Sequence, residues 1–274
     1  MKISTISAEK TSTAKTLPAK KKSPRRLALS SAKVLSALLF WLIIWQLAAS
    51  YVNKELFLPV PALVAARAIE LLPTWGFWHI IALSLARIAL GFGLGVAAGF
   101  ILAVLTHINR PADIIISPAL KAMLATPMAS FIILLLVWFT PGSVPVLVSF
   151  LVVLPVIWRN IRAGINAADQ QLLEMARLFR LSRRRILRRL YLPSLMPHFL
   201  SACITAMGLA WKSGIAAEVI SYPRLGIGSE LQAGRVYLQT ADVFVWTIAV
   251  IILSLLIERL LVGSLRRFYT AHED

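Results

Sequence analysis

The stretch Asp169-Gln170-Gln171-Leu172-Leu173-Glu174-Met175-Ala176-Arg177-Leu178-Phe179-Arg180-Leu181-Ser182-Arg183-Arg184-Arg185-Ile186-Leu187-Arg188-Arg189-Leu190-Tyr191-Leu192-Pro193 is strongly cationic, yet apolar runs stand on both sides of it. Wound at about 100° per residue, it reads as two short amphipathic helices and not as one long helix. Leu172, Leu173, Ala176 and Phe179 form one apolar stripe, and Ile186, Leu187 and Leu190 form a second. The two stripes do not align on a continuous helix, which places a break near Arg180–Ser182. Ser182 is suited to cap the second helix, and Pro193 and Pro197 are expected to end it.

The flanking runs show what solvent the chain occupies. Of the 274 residues 58% are apolar and only 15% are charged, against roughly 45–50% and about 25% in soluble domains. So few charges cannot coat a water-soluble globule. A bilayer core about 30 Å thick takes roughly 20 apolar residues in a helix. Six segments approach that length: 34–52, 80–106, 118–139, 143–158, 198–220 and 243–263. The fourth is short and holds Pro145 and Pro155.

The net charge of +17 is distributed by side. Nine Lys and Arg lie in residues 1–33 and nine Arg in residues 159–197, whereas 53–79 and 221–242 together hold only Lys54, Arg67, Arg224 and Arg235. Lys and Arg collect in cytoplasmic segments, so both termini and the 160–197 loop are assigned to the cytoplasm. The expected organisation is a disordered basic tail over 1–33, a transmembrane domain over 34–268 and a short cytoplasmic end over 269–274. A cleavable leader competes for the tail but would need an unusually long basic lead. After the first span, Pro61 opens a stretch over 62–72 with Leu63, Ala66 and Ile69 on one side, which reads as an interfacial helix.

Glu174-Met175-Ala176, Arg180, Leu190 and Leu192-Pro193 resemble the EAA loop of binding-protein-dependent ABC transporter permeases. That pattern reads Glu-Ala-Ala, three residues, Gly, nine residues, Ile, any residue, Leu-Pro. The spacing matches throughout; Met175 replaces an Ala, Leu190 the Ile and Arg180 the Gly. The Leu-Pro-x-Pro at 58–61, Trp138-Phe139 and Leu225-Gly226-Ile227-Gly228 resemble the nitrate/sulfonate/taurine-type subfamily.

The resemblance implies an all-α integral membrane protein of about six transmembrane helices, with a cytoplasmic coupling helix pair between spans four and five. It implies a permease, not an enzyme, that pairs with a second permease copy, two ATP-binding subunits and an extracytoplasmic solute-binding protein. ATP and magnesium would then reside on the partner subunit, with no cofactor or metal on this chain. Glu174, Met175, Ala176, Arg177, Phe179, Arg180, Leu181, Ser182, Ile186, Leu190, Leu192 and Pro193 would form the coupling surface. The implied solute is a small anion such as a sulfonate, nitrate or taurine.

Within the spans, Lys212 costs about 2.5–3.5 kcal/mol to insert and is therefore a functional candidate. Lys212, Ser213 and Glu218 are the candidate path residues, with a structural role for Lys212 as the competing reading. Six helical positions leave Lys212 and Glu218 about 120° apart, too far round for a direct pair. Arg87 is expected to extend to the membrane interface. Gly91, Gly95 and Gly99 read as a close-packing face for a neighbouring span.

No GxxxxGK[ST] occurs, so a phosphate loop is excluded. Cys203 is the single cysteine, which excludes an internal disulfide framework and a thiolate metal cluster. Two other readings stand beside the permease. One is an ion-coupled secondary carrier, which would need internal repeats. The other is a membrane-tethered helix-turn-helix DNA reader over 174–190, but the flanking spans would press that helix pair against membrane lipid and away from nucleic acid.

Overall fold

The computed structural model describes the backbone of residues 24–270 and the side chains of residues 35–263 apart from Arg177. The expected tail lies outside the described residues as far as residue 23. Every regular element among those described is helical. Two compact units are distinguished, one ending at Ala48 and one beginning at Ala49. The first is carried by α1 (Pro24–Val52), whose segment Leu35–Val52 is long and apolar enough to cross a bilayer.

In the second unit, α2 (Pro61–Leu71) starts with Pro61 in its first turn, where a missing N–H costs nothing. Val64 packs inward, while Leu63, Ala66 and Ile69 are exposed. A long helix α3 (Trp75–Ile108) follows, capped by the Thr74 hydroxyl accepting from the Phe77 N–H at 3.3 Å. Asn109 alone separates it from α4 (Arg110–Ala125) and caps that helix through the Ala112 N–H at 3.3 Å.

The expected span 118–139 is not one helix. It is interrupted at Thr126-Pro127 between α4 and α5 (Met128–Trp138), which are bent 109° from one another. The physical cause is local: a residue before proline is driven out of the α region, and Thr126 sits at φ −78°, ψ 132°. Its hydroxyl and N–H both return to the Ala122 carbonyl. The short span expected over 143–158 is instead a 23-residue helix, α6 (Val144–Asn166). It continues past Arg159 because Arg162 pairs with Asp113 of α4 and Asn160 Nδ2 donates to the Val156 carbonyl at 2.8 Å.

Beyond α6 come α7 (Gln170–Leu178) and α8 (Arg183–Ile186), then a π-helical turn over Leu187–Tyr191 that leads into α9 (Leu192–Ser221). Pro193 and Pro197 therefore do not end the second amphipathic helix; helical backbone runs unbroken from Arg183 to Ser221. In the π turn the Leu192 N–H reaches back five residues to the Leu187 carbonyl. That wider turn gives the Pro193 ring room that a standard α turn would deny it. The loop after α9 holds a helix that sequence reading missed, α10 (Ile227–Val236), and α11 (Thr240–Thr270) is the last element among the described residues. Among the described residues five helices are long and apolar enough to cross a bilayer, or six if α4 and α5 form one broken span.

The core of the second unit is α6, packed mainly between α3 and α9. Val144, Val148, Val153, Ile157 and Ile161 are fully buried along it. Close approach is possible because Gly91, Gly95 and Gly99 face it from α3. A Cβ built at Gly91 would lie 2.3 Å from the Val146 carbonyl oxygen, one at Gly95 2.7 Å from Val153 Cβ, and one at Gly99 2.6 Å from the Leu154 carbonyl oxygen. Gly214 of α9 makes a similar approach, where a Cβ would lie 2.5 Å from Ile88 Cγ1.

Gly91→Ala is expected to cost about 1–3 kcal/mol by overpacking against backbone that cannot yield. Gly93→Ala, where a Cβ meets nothing within 4 Å, should leave stability unchanged or raise it by up to about 1 kcal/mol. Thermal unfolding of the two variants in the same detergent compares them directly, and equal midpoints would contradict the assignment of this seam.

Candidate functional site

Helix α7 is started by Asp169, whose carboxylate accepts from the Gln171 N–H at 2.8 Å. At its far end the Leu181 N–H donates to the Ala176 carbonyl at 2.9 Å, and the Phe179 N–H donates to the Met175 carbonyl at 3.0 Å. The first of these is the six-to-one bond of a Schellman stop, which places residue 180 in the left-handed region. Arg180 has φ +50°. An arginine thus adopts the conformation for which glycine is the least costly residue.

Ser182 then sits at φ −62°, ψ 145°, and its carbonyl accepts from the Arg185 and Ile186 N–H groups. It occupies the cap position with its backbone, but its hydroxyl makes no capping bond. The outcome is an elbow, with α7 on one arm and α8 on the other.

The expected apolar stripe on α7 divides between two faces. Leu173 and Ala176 are buried, whereas Leu172 and Phe179 are exposed together with Met175 and Leu178. Phe179 and Leu178 are 74% and 83% accessible, so this arm presents an uncovered apolar ridge. Glu174 stands exposed beside it, as do Arg183, Arg184, Arg185, Arg188 and Arg189 on the other arm. Ile186 and Leu190 are half-buried, and Leu192 and Pro193 are exposed. An apolar ridge next to a row of guanidinium groups has a chemistry complementary to a cleft with an acidic rim.

The three candidate path residues do not gather in one place. Lys212 and Ser213 line a cavity of about 410 Å³ together with Met128, Val152, Pro155 and Ala216. The Ser213 hydroxyl donates to the Leu209 carbonyl at 2.8 Å, while Lys212 is exposed.

Glu218 lies elsewhere and is completely buried. Its Oε2 accepts from the Ser84 hydroxyl at 2.8 Å and the Gly228 N–H at 3.1 Å, and its Oε1 accepts from Arg87 Nη1 at 3.2 Å. Arg87 Nη1 also donates to the Leu225 carbonyl at 2.5 Å, and the Ile227 N–H donates to Ser84 Oγ at 2.9 Å. Arg87 therefore does not extend to the interface; it turns inward to a carboxylate. The network ties α3, α9 and the start of α10 together, and a Cβ at Gly226 would fall 2.8 Å from Glu218 Oε2. Two further features were not foreseen. Asp113, Ser117 and Arg162 are joined between α4 and α6, with the guanidinium 5.2 Å from the Trp158 ring centroid. At the other end of the bundle Arg67 of α2 grips Asp242 of α11, Nε to Oδ1 at 2.5 Å, and these hydrogen bonds hold its guanidinium more firmly protonated than usual. Burial raises the pKa of nearby Glu230, and the Asp242 charge adds to the rise. Among the described residues no three His, Cys, Asp or Glu side chains gather to hold a metal.

Residues 95–268 match the family model described as "Binding-protein-dependent transport system inner membrane component". The chain belongs to this permease family. It is a multi-pass membrane transport subunit and not an enzyme, and its family works with ATPase and substrate-binding partners. The carrier and DNA-reader readings are thereby set aside. The permease is 27% identical over 91% of its length to the taurine transport system permease protein TauC of Escherichia coli, covering 92% of that protein. It is 27% identical over 82% of its length to the bicarbonate transport system permease protein CmpB of Synechococcus elongatus, covering 84% of it. The putative aliphatic sulfonates transport permease protein SsuC of Bacillus subtilis is 26% identical, over 84% of this chain and 85% of that one. Among solved structures, a chain of an amino acid ABC transporter crystallised with histidines superposes with a TM-score of 0.55 at 19% identity, over 67% of the permease and 90% of that chain. The inward-facing methionine transporter MetNI gives 0.51 at 16% identity, over 72% and 94%. Both share the fold.

Two substitutions test the local physics of these sites. Arg180→Gly should stabilise the elbow by about 1 kcal/mol, since the left-handed strain of a side-chain-bearing residue is removed. Hydrogen exchange at the Leu181 amide should slow accordingly, and faster exchange would count against the Schellman stop. Glu218→Ala strands the Arg87 guanidinium and the Gly228 N–H and should cost about 3 kcal/mol. A melting midpoint no lower than that of the unaltered permease would exclude the network as a structural tie.

Proposed function

We propose that this permease forms the translocation path for a small anionic solute of the sulfonate, nitrate or taurine kind, working as a pair of identical copies with two ATP-binding subunits. An extracytoplasmic binding protein delivers the solute, and both termini lie in the cytoplasm. ATP and magnesium sit on the partner subunits. The α7–α8 elbow is the coupling element: closure of the ATP-binding subunits on bound nucleotide moves the paired elbows, and the helices behind them switch between inward- and outward-facing arrangements.

The observation that carries the reading is Lys212. Arg87 and Glu218 neutralise one another inside the bundle, whereas Lys212 opens onto a cavity formed by α4, α5, α6 and α9. A cation placed among apolar spans at a cost of about 2.5–3.5 kcal/mol is a functional candidate, and its charge favours an anion. Relatives named for taurine, bicarbonate and aliphatic sulfonates support that class. The exposed ridge of Met175, Leu178 and Phe179 supports the coupling role, because a contiguous exposed apolar patch marks an interaction surface.

The test is solute uptake into vesicles that hold the permease with its ATPase and binding protein. Lys212→Met should lower uptake about tenfold or more, as expected for loss of one charge-assisted contact, and Lys212→Arg should retain most of it. Unchanged uptake in both variants would refute the path assignment. Phe179→Asp and Leu178→Asp should release the ATPase on purification while leaving the fold intact; full retention in both would refute the elbow as coupling element.

A further inference from the structure

At the α7 end of the bundle, α4 and α6 border an open cavity of about 600 Å³. Charged and amide side chains from both helices line it beside Leu124, Trp158 and Ala163. Asp113, Ser117 and Lys121 follow at four-residue intervals and so share one face of α4, while Arg159, Arg162 and Asn166 come from the facing side of α6. The charges in it do not all balance. Asp113 is held by both Arg162 nitrogens and by the Ser117 hydroxyl, with Arg162 Nη2 to Asp113 Oδ2 at 3.1 Å and Arg162 Nη1 to Ser117 Oγ at 3.0 Å. The Trp158 ring flanks the same guanidinium. The one carboxylate lining this space is thus already neutralised and its oxygens occupied. Lys121 and Arg159 are exposed to the cavity, and no ion pair with either is present among the described residues.

We propose that this cavity is an oxyanion-binding site, in which Lys121 and Arg159 supply the charge and the Asn166 amide a further donor. A guanidinium fork and an ammonium converging from two helices match the several acceptor oxygens of a sulfonate, sulfate or phosphate group. The volume exceeds that of such a group, which leaves room for the remainder of the molecule. Sidedness alone would require these cations to lie at this end of the bundle; it would not require them to converge on a concavity around an arginine that is already fixed. Leu124 lines this cavity and also the one that holds Lys212, so the two are neighbours along one wall. In that respect the inference deepens the anion-path reading: an anion leaving Lys212 would next meet Lys121 and Arg159. A lipid phosphate presents the same chemistry from the bilayer side.

The experiment uses the full-length permease in nanodiscs of phosphatidylcholine, alone or mixed with phosphatidylglycerol, with equilibrium binding of radiolabelled sulfate as the readout. Saturable binding is expected, weakened at least about tenfold in Lys121→Gln/Arg159→Gln and retained in Lys121→Arg/Arg159→Lys. Equal sulfate binding in both lipid mixtures assigns the site to a soluble oxyanion. Loss of sulfate binding in phosphatidylglycerol, with lipid retained by the unaltered permease but not by the glutamine variant in native mass spectrometry, assigns it to a lipid phosphate. If neither sulfate nor phosphatidylglycerol retention changes in the glutamine variant while its melting midpoint is unaltered, the site is refuted. Lys212→Met keeps the two readings apart. Normal uptake in that variant, with sulfate binding still dependent on Lys121 and Arg159, overturns the path and leaves this site standing. Reduced uptake with sulfate binding indifferent to Lys121 and Arg159 does the reverse.

Discussion

Backbone-to-backbone approach of α3 and α6 is the constraint on which the second unit rests. In lipid there is little hydrophobic force to press two apolar helices together, so their association depends on van der Waals fit. The glycines at 91, 95 and 99 let Val146, Val153 and Leu154 come so near that a single added methyl would overlap them. α9 then packs against both helices, where Gly214 makes the same allowance for Ile88 of α3 and Ser149 of α6. Everything of functional interest is then referred to α6. Its middle residues Val152 and Pro155 wall the Lys212 cavity, its last turns carry Arg159 and Arg162, and its end passes directly into the elbow.

A second constraint is what happens to charge in this setting. Three arginines are satisfied by carboxylates on other helices: Arg67 by Asp242, Arg87 by Glu218 and Arg162 by Asp113. Each pair joins segments distant in sequence, so each also fixes how two helices sit against one another. The buried pair at Glu218 needs its extra donors, because a carboxylate out of water is tolerable only when its lone pairs are filled. Ser84, Arg87 and the Gly228 amide fill them. Lys212, Lys121 and Arg159, by contrast, border open space and have no ion pair among the described residues.

Much of this was legible in the chain itself. Apolar run lengths mark the spans, the arginine distribution marks one face, and the Gly91, Gly95, Gly99 spacing marks a face that could meet a neighbour. The reading ran out where tertiary contacts override local signals. Arg159 and Arg162 look like the exit of a span, yet α6 continues through them because Asp113, 49 positions away from Arg162, lies opposite. Pro193 looks like a terminator, yet a π turn absorbs it. Thr126-Pro127 was an available signal for the bend between α4 and α5 that a run-length criterion passes over. The role of Glu218 had no local signature at all: Ser84 and Arg87 stand more than 130 residues before it.

The elbow shows how a left-handed turn can form with an arginine at its corner. A glycine at position 180 would enter the left-handed region without strain, whereas an arginine there raises the energy of the turn by about 1 kcal/mol. The turn forms nonetheless, since the Leu181 N–H reaches the Ala176 carbonyl and the Ser182 carbonyl takes up the first amides of α8. Two satisfied helix ends outweigh one strained dihedral. What the substitution adds is one more guanidinium at the apex of a surface already lined by Arg183, Arg184 and Arg185. The strain is therefore located where a partner with acidic groups would gain from it, and the elbow's shape is set by hydrogen bonds that do not depend on which side chain occupies its corner.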